Sequence, residues 1–225
     1  MQFPNSRKYV CEMLGALFLA LAVIGSGIMG SSISPDDGTV LLSNAIVTGI
    51  TLFLLITIFG PISGAHLNPI VTFCFWLRGD IKARVGLFYV TGQILGALLG
   101  CFLANYIFDL ATISISTTSR TGPNILLSEA FASFGLILVI LYGVTLTPNK
   151  VPSLVGIYIT AAIIFCSSNS FANPAVTVAR QFSDSFCGIA PPDVLGYIIM
   201  QVLGATTAYY FYQWFFASKF SIKND

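Results

Sequence analysis

The chain has 225 residues, a formal charge of +1, and a composition that is 56% hydrophobic but only 8% charged. So few charges would leave a soluble domain of this size without a polar surface, so the composition predicts an integral membrane protein with the lipid bilayer as its partner. The near-neutral charge argues against binding to nucleic acid.

Six apolar stretches come close to the ~20 residues that a helix needs to cross a bilayer. They are residues 9–31, 40–60, 85–108, 125–146, 153–168 and 195–217. Two further apolar pieces, 69–77 and 174–183, have about half the spanning length. We expect these two pieces to be half-helices that enter the membrane and turn back.

Each half-helix is introduced by one of two near-copies of a motif, about half a chain apart. The copies are Asn68-Pro69-Ile70-Val71-Thr72 and Asn173-Pro174-Ala175-Val176-Thr177. Asn is a favoured helix N-cap and Pro is favoured at the first helical position, so each copy predicts a helix start.

The segments that lead into these motifs, 60–67 and 167–172, are expected to be non-helical. Such backbone survives at membrane depth only where it is buried in protein or lines a watery cavity. We therefore predict a pore with acceptor carbonyls from two loops. The predicted pore centre comprises Asn68, Pro69, Ile70, Asn173, Pro174 and Ala175, and the predicted pore-lining carbonyls are those of Gly64, Ala65, His66, Asn169, Ser170 and Phe171.

The similarity between the two halves extends beyond the motifs. Glu12 and Glu129 stand at the start of the first and fourth spans, and Gln93 and Gln201 occupy similar Gln-x-Leu-Gly-Ala contexts in the third and sixth. We predict a single transmembrane channel domain, 1–225, with repeats at about 9–108 and 124–217. Because three spans per repeat is an odd number, the second repeat must be inverted. The predicted fold is thus an all-α membrane protein with six transmembrane helices and two re-entrant half-helices in an inverted 3+3 repeat.

The distribution of basic residues predicts that both termini are cytoplasmic. In this orientation eight basic residues lie inside and only Arg120 and Arg180 lie outside, as the positive-inside rule favours. The inside set is Arg7, Lys8, Arg78, Lys82, Arg84, Lys150, Lys219 and Lys223. The compact loops favour a bacterial inner membrane.

The buried polar residues favour a structural role over catalysis. Glu12 and Glu129 are expected to accept the unpaired N–H groups of the non-helical loops, with Gln93 and Gln201 as further loop supports. Only one histidine, His66, is available for acid–base chemistry, and no metal-spaced cluster is seen. We therefore expect no enzyme activity, no metal and no cofactor.

The cysteine pattern does not predict a disulfide framework. Four of the five cysteines fall in membrane segments, and only Cys187 is expected to be exposed, on the outside.

The run Ser63-Gly64-Ala65-His66-Leu67-Asn68-Pro69, the second motif, the paired glutamates and the Gly-Gln repeats together resemble the aquaporin, or major intrinsic protein, family. The resemblance covers the whole chain. It implies a passive channel for water or small uncharged solutes, built as a homotetramer with one pore per subunit. It also implies that His66 lines the cytoplasmic half of the pore, the alternative being a histidine packed within its loop.

The chain departs from the family where an arginine normally follows the second motif, because Val176 stands at that position. Spacing from the two asparagines predicts Thr48, Ala161 and Ser170 as the other constriction residues. Similar filters without arginine occur in bacterial relatives linked to arsenic resistance. The sequence therefore predicts a wide channel for water and small neutral polar solutes, with arsenite, methylated arsenicals, glycerol and urea as candidates.

Three questions stay open at this level. Arg180 lies one helical turn beyond Val176 and either reaches over the pore mouth or faces the headgroups or Asp184. The pore is either permissive or water-selective. The inverted repeat would also suit an ion-coupled secondary transporter, although the loops contain no further charge that could bind a coupling ion.

Overall fold

The structure is a computed structural model that describes residues 3–221, with side chains described as far as residue 216. The long helices are α1 (Asn5–Ile33), α2 (Asp37–Ser63), α4 (Ala83–Ile107), α5 (Pro123–Leu146), α6 (Val151–Phe165) and α8 (Pro191–Ser221). The short helices are α3 (Pro69–Leu77) and α7 (Pro174–Arg180), and a 3-10 turn at Pro148–Lys150 leads into α6.

Six helices in the described part of the chain are long and apolar enough to cross a membrane. The predicted architecture of six spans and two half-helices is confirmed. Helix α7 ends three residues earlier than predicted, at Arg180. Of the predicted inside charges, Lys223 lies outside the described residues, and only the main chain of Lys219 is described.

Both half-helices begin as the Asn-Pro pairs predict. The Oδ1 atom of Asn68 accepts a hydrogen bond from the Ile70 N–H at 3.1 Å, and Oδ1 of Asn173 accepts one from the Ala175 N–H at 3.0 Å. A proline follows each asparagine, at a position where a helix needs no N–H donor.

Glycines bring the long helices together in the same way in both halves of the chain. Helix α1 packs against α4, and α5 packs against α8. A methyl group at Gly96 of α4 would overlap the main chain of Met13, and one at Gly204 of α8 would overlap the main chain of Ala130. Small residues favour this close packing in membranes, where association depends on van der Waals contact.

The two half-helices meet head to head through their N-terminal asparagines. Asn68 Nδ2 donates to the carbonyl of Ala172 at 2.7 Å, and Asn173 Nδ2 donates to the carbonyl of Leu67 at 2.9 Å. Each asparagine is thus held by the loop of the opposite repeat. This reciprocal arrangement joins the two loops and positions the cavity described next.

Candidate functional site

A cavity of about 90 Å³ lies along the two loops and the half-helices. The surrounding wall is mostly apolar and comes from one face each of α1, α2, α5 and α6. Its residues are Leu19 and Val23 from α1, Asn44, Thr48, Leu52 and Ile56 from α2, Leu136, Ile140 and Val144 from α5, and Val151, Val155, Ile159 and Ile163 from α6. The six residues predicted to offer carbonyls all line it as well.

The loop before α3 is held in shape by a buried carboxylate. Oε1 of Glu12 accepts from the His66 N–H at 3.0 Å, and Oε2 accepts from the Leu67 N–H at 2.7 Å. Gln93 Nε2 also donates to Glu12, at 2.8 Å. Ala65 and Leu67 have positive φ angles, of 47° and 51°, which are uncommon for residues with a side chain. The bonds to Glu12 stabilise this strained backbone.

The loop before α7 repeats this arrangement. Glu129 accepts from the N–H groups of Phe171 at 3.2 Å and Ala172 at 2.6 Å, and Gln201 Nε2 donates to it at 2.7 Å. Because the carboxylates take the loop N–H groups, the predicted carbonyls are left for the cavity. Within residues 3–221, none of the six accepts a hydrogen bond from the protein.

Asn68 and Asn173 each retain an N–H group that is unused by the bonds described above. An amide nitrogen has two N–H donors, and only one of them is bound to the opposite loop. Both asparagines line the cavity. Each can therefore donate one hydrogen bond to an oxygen atom that passes between them.

The two half-helices present the same pattern to the cavity. Its residues are Asn68, Val71 and Phe75 in α3, and Asn173, Val176 and Arg180 in α7. Spacings of three and four residues keep these side chains on one helical face. The predicted contribution of the Ile70 side chain is wrong, because Ile70 turns into the apolar core while Val71 lines the cavity. Pro69, Pro174 and Ala175 belong to the motifs, but they do not line the cavity either.

Arg180 and Phe75 occupy equivalent positions at opposite mouths. The guanidinium carbon of Arg180 lies 3.3 Å from the centre of the Phe171 ring, and its Nε donates to the Cys187 carbonyl. Arg180 is buried and lines the cavity, so it does not face the headgroups. Asp184, the predicted alternative partner, accepts instead from the Thr117 N–H at 2.9 Å.

His66 lies at the equivalent position to Phe171, in the other mouth. It lines the cavity, its ring centre is 4.6 Å from that of Phe75, and its Nδ1 is 3.1 Å from Thr72 Oγ1. His66 is therefore packed within its loop and also reaches the cavity.

One of the four predicted constriction residues is not in the cavity wall. Thr48, Ser170 and Val176 line the cavity, but Ala161 lies on the exposed face of α6. The last cavity residue of α2, Ile56, precedes its asparagine by twelve residues, whereas that of α6, Ile163, precedes Asn173 by ten. A two-residue error in spacing rotates a helical position by about 200°, to the opposite face. Ile159 and Ile163, which lie two residues to either side of Ala161, line the cavity instead.

Arg120 has contacts that the sequence did not reveal. Its side chain donates to Asn169 Oδ1 at 2.6 Å, to the Gly188 carbonyl at 2.7 Å and to the Phe186 carbonyl at 2.9 Å. These hydrogen bonds join the loop between α4 and α5 to the end of the cavity at which Asn169 lies. No local motif marks Arg120, because all three partners are distant in sequence.

The predicted exposure of Cys187 is wrong. Its side chain is 1% exposed, and its Sγ donates to the Val23 carbonyl at 3.1 Å. The loop that carries Cys187 folds inward against α1. The sequence of a polar loop does not show whether the loop folds back onto a helix. All five cysteines are buried and free.

The sequence pattern of one protein family, described as Major intrinsic protein, matches residues 1–171. The chain belongs to this family. It is similar to Aquaglyceroporin AqpS of Rhizobium meliloti (strain 1021), with 46% identity over 213 residues that cover 95% of this chain and 91% of the relative. Probable aquaporin TIP2-2 of Oryza sativa subsp. japonica is 29% identical over 185 residues, or 78% of this chain and 73% of the relative.

A solved structure supports the fold of this major intrinsic protein. The X-ray structure of the aquaglyceroporin from Plasmodium falciparum matches with a TM-score of 0.71 and 22% identity, covering 93% of this chain and 96% of that one. Family membership confirms the predicted resemblance. The chain is thus an integral membrane channel for water and small solutes and not an enzyme.

Proposed function

We propose that the chain forms a wide passive channel for water and small neutral polar solutes. The observation that carries this proposal is Val176, which lies on the cavity face of α7 where the family resemblance leads us to expect arginine. Valine removes both the bulk and the fixed charge of that side chain. Candidate solutes are arsenite, methylated arsenicals, glycerol and urea, and the similarity to a relative named an aquaglyceroporin supports solute conduction.

The centre of the cavity suits neutral oxygen-bearing molecules. Asn68 and Asn173 each offer one N–H donor, and the loop carbonyls offer acceptors on either side. The positive ends of α3 and α7 converge there, which opposes the passage of protons and other cations. Arg180 adds a positive charge at the outer mouth, four residues beyond Val176. We infer that this charge takes over part of the cation exclusion that arginine provides elsewhere in the family.

Stopped-flow light scattering of proteoliposomes tests the proposal by comparing water efflux with uptake of glycerol, urea and arsenite. Val176→Arg should narrow the cavity and reduce solute uptake more than water efflux. Ala161→Leu is the matched control, since it adds volume on the exposed face of α6. Solute uptake that Val176→Arg leaves unchanged would mean that the constriction lies elsewhere.

A water-selective channel is the second candidate, and Ile163 favours it. This cavity-lining isoleucine is larger and more apolar than the alanine expected from sequence, which supports a narrower pore than the sequence predicts. Rapid water efflux with exclusion of every solute of glycerol size would support this alternative. Arg180→Ala tests the role of the outer charge, because ion leak and solute selectivity should both change if Arg180 acts at the mouth.

We also propose a homotetramer in a bacterial inner membrane, with both termini cytoplasmic. The family resemblance supports the tetramer, and the excess of basic residues on one side supports the orientation. Light scattering of the detergent-solubilised protein measures the oligomeric state. The orientation is measured by labelling single cysteines, added near either terminus, from each side of the membrane.

A further inference from the structure

A polar cluster lies at the outer end of the cavity, where α2 faces the loop after α7. Asn44 of α2 and Arg180 of α7 both line the cavity, and both contact Cys187. The Asn44 Nδ2 atom is 3.5 Å from Cys187 Sγ, and Arg180 Nε donates to the Cys187 carbonyl. The two side chains therefore approach one residue from different helices. No motif in the sequence marks Asn44.

Asn44 is fixed so that its oxygen is left for the cavity. Its Nδ2 donates to the Val23 carbonyl at 2.7 Å and to Ser26 Oγ at 2.8 Å. Since a carbonyl only accepts, the group facing Val23 must be the amide NH₂. Among the hydrogen bonds of residues 3–221, none ends on Asn44 Oδ1. Asn44 is 5% exposed and lines the cavity, which leaves this acceptor available to a molecule inside the cavity.

Arg180, which also lines the cavity and contacts Cys187, supplies donors without partners in the described part of the chain. It is 6% exposed, and only its Nε donates a hydrogen bond to residues 3–221. Its two terminal nitrogens are left with their N–H groups unbound. Thr48, one turn from Asn44 on α2, adds a buried hydroxyl with no partner in the described part of the chain. Unpaired polar groups in an apolar wall are costly unless a water or solute hydrogen-bonds to them.

We propose that Asn44 Oδ1 and the Arg180 guanidinium form a solute-binding site at the outer mouth that favours small neutral molecules with hydroxyl groups. The hydroxyl hydrogen donates to Asn44, and hydroxyl oxygens accept from Arg180. A solute with three hydroxyls can donate to Asn44 and accept from both terminal nitrogens of Arg180, one hydroxyl for each group, whereas a solute with two hydroxyls leaves one of these groups without a partner. This inference rests on the proposed solute channel and makes Asn44 a residue that determines specificity within it.

The test compares glycerol with 1,2-propanediol, which lacks one of the glycerol hydroxyls. Uptake of each solute into proteoliposomes is measured by stopped-flow light scattering, after subtraction of the rate in protein-free liposomes. Asn44→Leu should lower the glycerol-to-propanediol ratio by about fivefold, the size of one net hydrogen bond. A monodisperse elution profile in detergent reports folded protein. Ser43→Ala is the matched control, because Ser43 bonds within its own helix and does not line the cavity.

Two further variants separate solute binding from a merely structural role. Ser26→Ala removes one of the groups that anchor the Asn44 NH₂ but leaves the Asn44 oxygen in place, so the ratio should stay within about twofold of wild type. Arg180→Gln removes the guanidinium donors without changing that anchor, and it should lower the ratio as Asn44→Leu does. It also covers the case in which Asn44→Leu does not fold.

The inference is overturned if Ser26→Ala and Asn44→Leu lower the ratio equally, or if Asn44→Leu or Arg180→Gln leaves the ratio unchanged in a folded protein. A wild-type protein that passes neither solute overturns the proposed solute channel, and this site with it. A wild-type protein that passes both solutes, with a ratio insensitive to these variants, overturns the site alone.

Discussion

Replacing Glu129 by glutamine tests whether a buried carboxylate holds the second pore loop in shape. Glu129 accepts hydrogen bonds from the N–H groups of Phe171 and Ala172 and from Gln201 Nε2. Glutamine has nearly the same shape but carries one NH₂ group in place of an acceptor oxygen. In its best orientation that NH₂ faces the Phe171 N–H, whose bond is the longest of the three at 3.2 Å.

The magnitude follows from the bonds that are lost or weakened. One buried N–H group loses its acceptor, and two charge-assisted hydrogen bonds become neutral, at a combined cost of about 2–4 kcal/mol. For a chain of this length, that cost corresponds to a fall of about 5–15 °C in the apparent melting temperature. The carbonyl groups of the loop around Phe171 and Ala172 should also become less ordered, so the water permeability per inserted protein should fall.

The assay is thermal unfolding in detergent, followed by tryptophan fluorescence, together with stopped-flow water efflux. Asp109→Asn makes the same chemical change at an exposed position and serves as the control. Glu12→Gln should behave like Glu129→Gln, because Glu12 supports the first loop through equivalent bonds. A Glu129→Gln protein with wild-type melting temperature and water efflux would refute the role of the carboxylate.

Two further predictions concern the packing of α1 against α4 and the hydrogen bonds of Arg120. Gly96→Val should prevent stable folding, because its side chain would overlap the main chain of Met13. Gly92→Ala should be tolerated, since the nearest neighbour of the added methyl group would be 3.5 Å away. The yield of monodisperse protein measures both effects, and a well-folded Gly96→Val protein would contradict the packing argument. Arg120→Gln removes the hydrogen bonds to Asn169 and two loop carbonyls, so it should destabilise the outer loops by about 2–3 kcal/mol. Faster hydrogen exchange in residues 109–122 would report this change, and unchanged exchange would contradict it.

Hydrophobicity and duplication in the sequence were sufficient to predict the membrane class, the number of spans and the two half-helices. This succeeded because a bilayer permits few solutions, since a spanning segment must satisfy its own backbone hydrogen bonds. The Asn-Pro pairs gave the starts of α3 and α7 to the residue, because capping depends on adjacent positions. The pairing of Glu12 and Glu129 with loop N–H groups also followed from chemistry, as each buried carboxylate needs donors.

The tertiary structure alone decided which side chains face the cavity. A helical residue changes direction by about 100° at each step, so a two-residue error in the spacing before Asn173 selected Ala161, which faces away from the cavity. The positions of Cys187, Arg120 and Asn44 depend on loops that fold back onto distant helices. Their partners are set by three-dimensional packing between segments far apart in the chain, so no local pattern in the sequence records them.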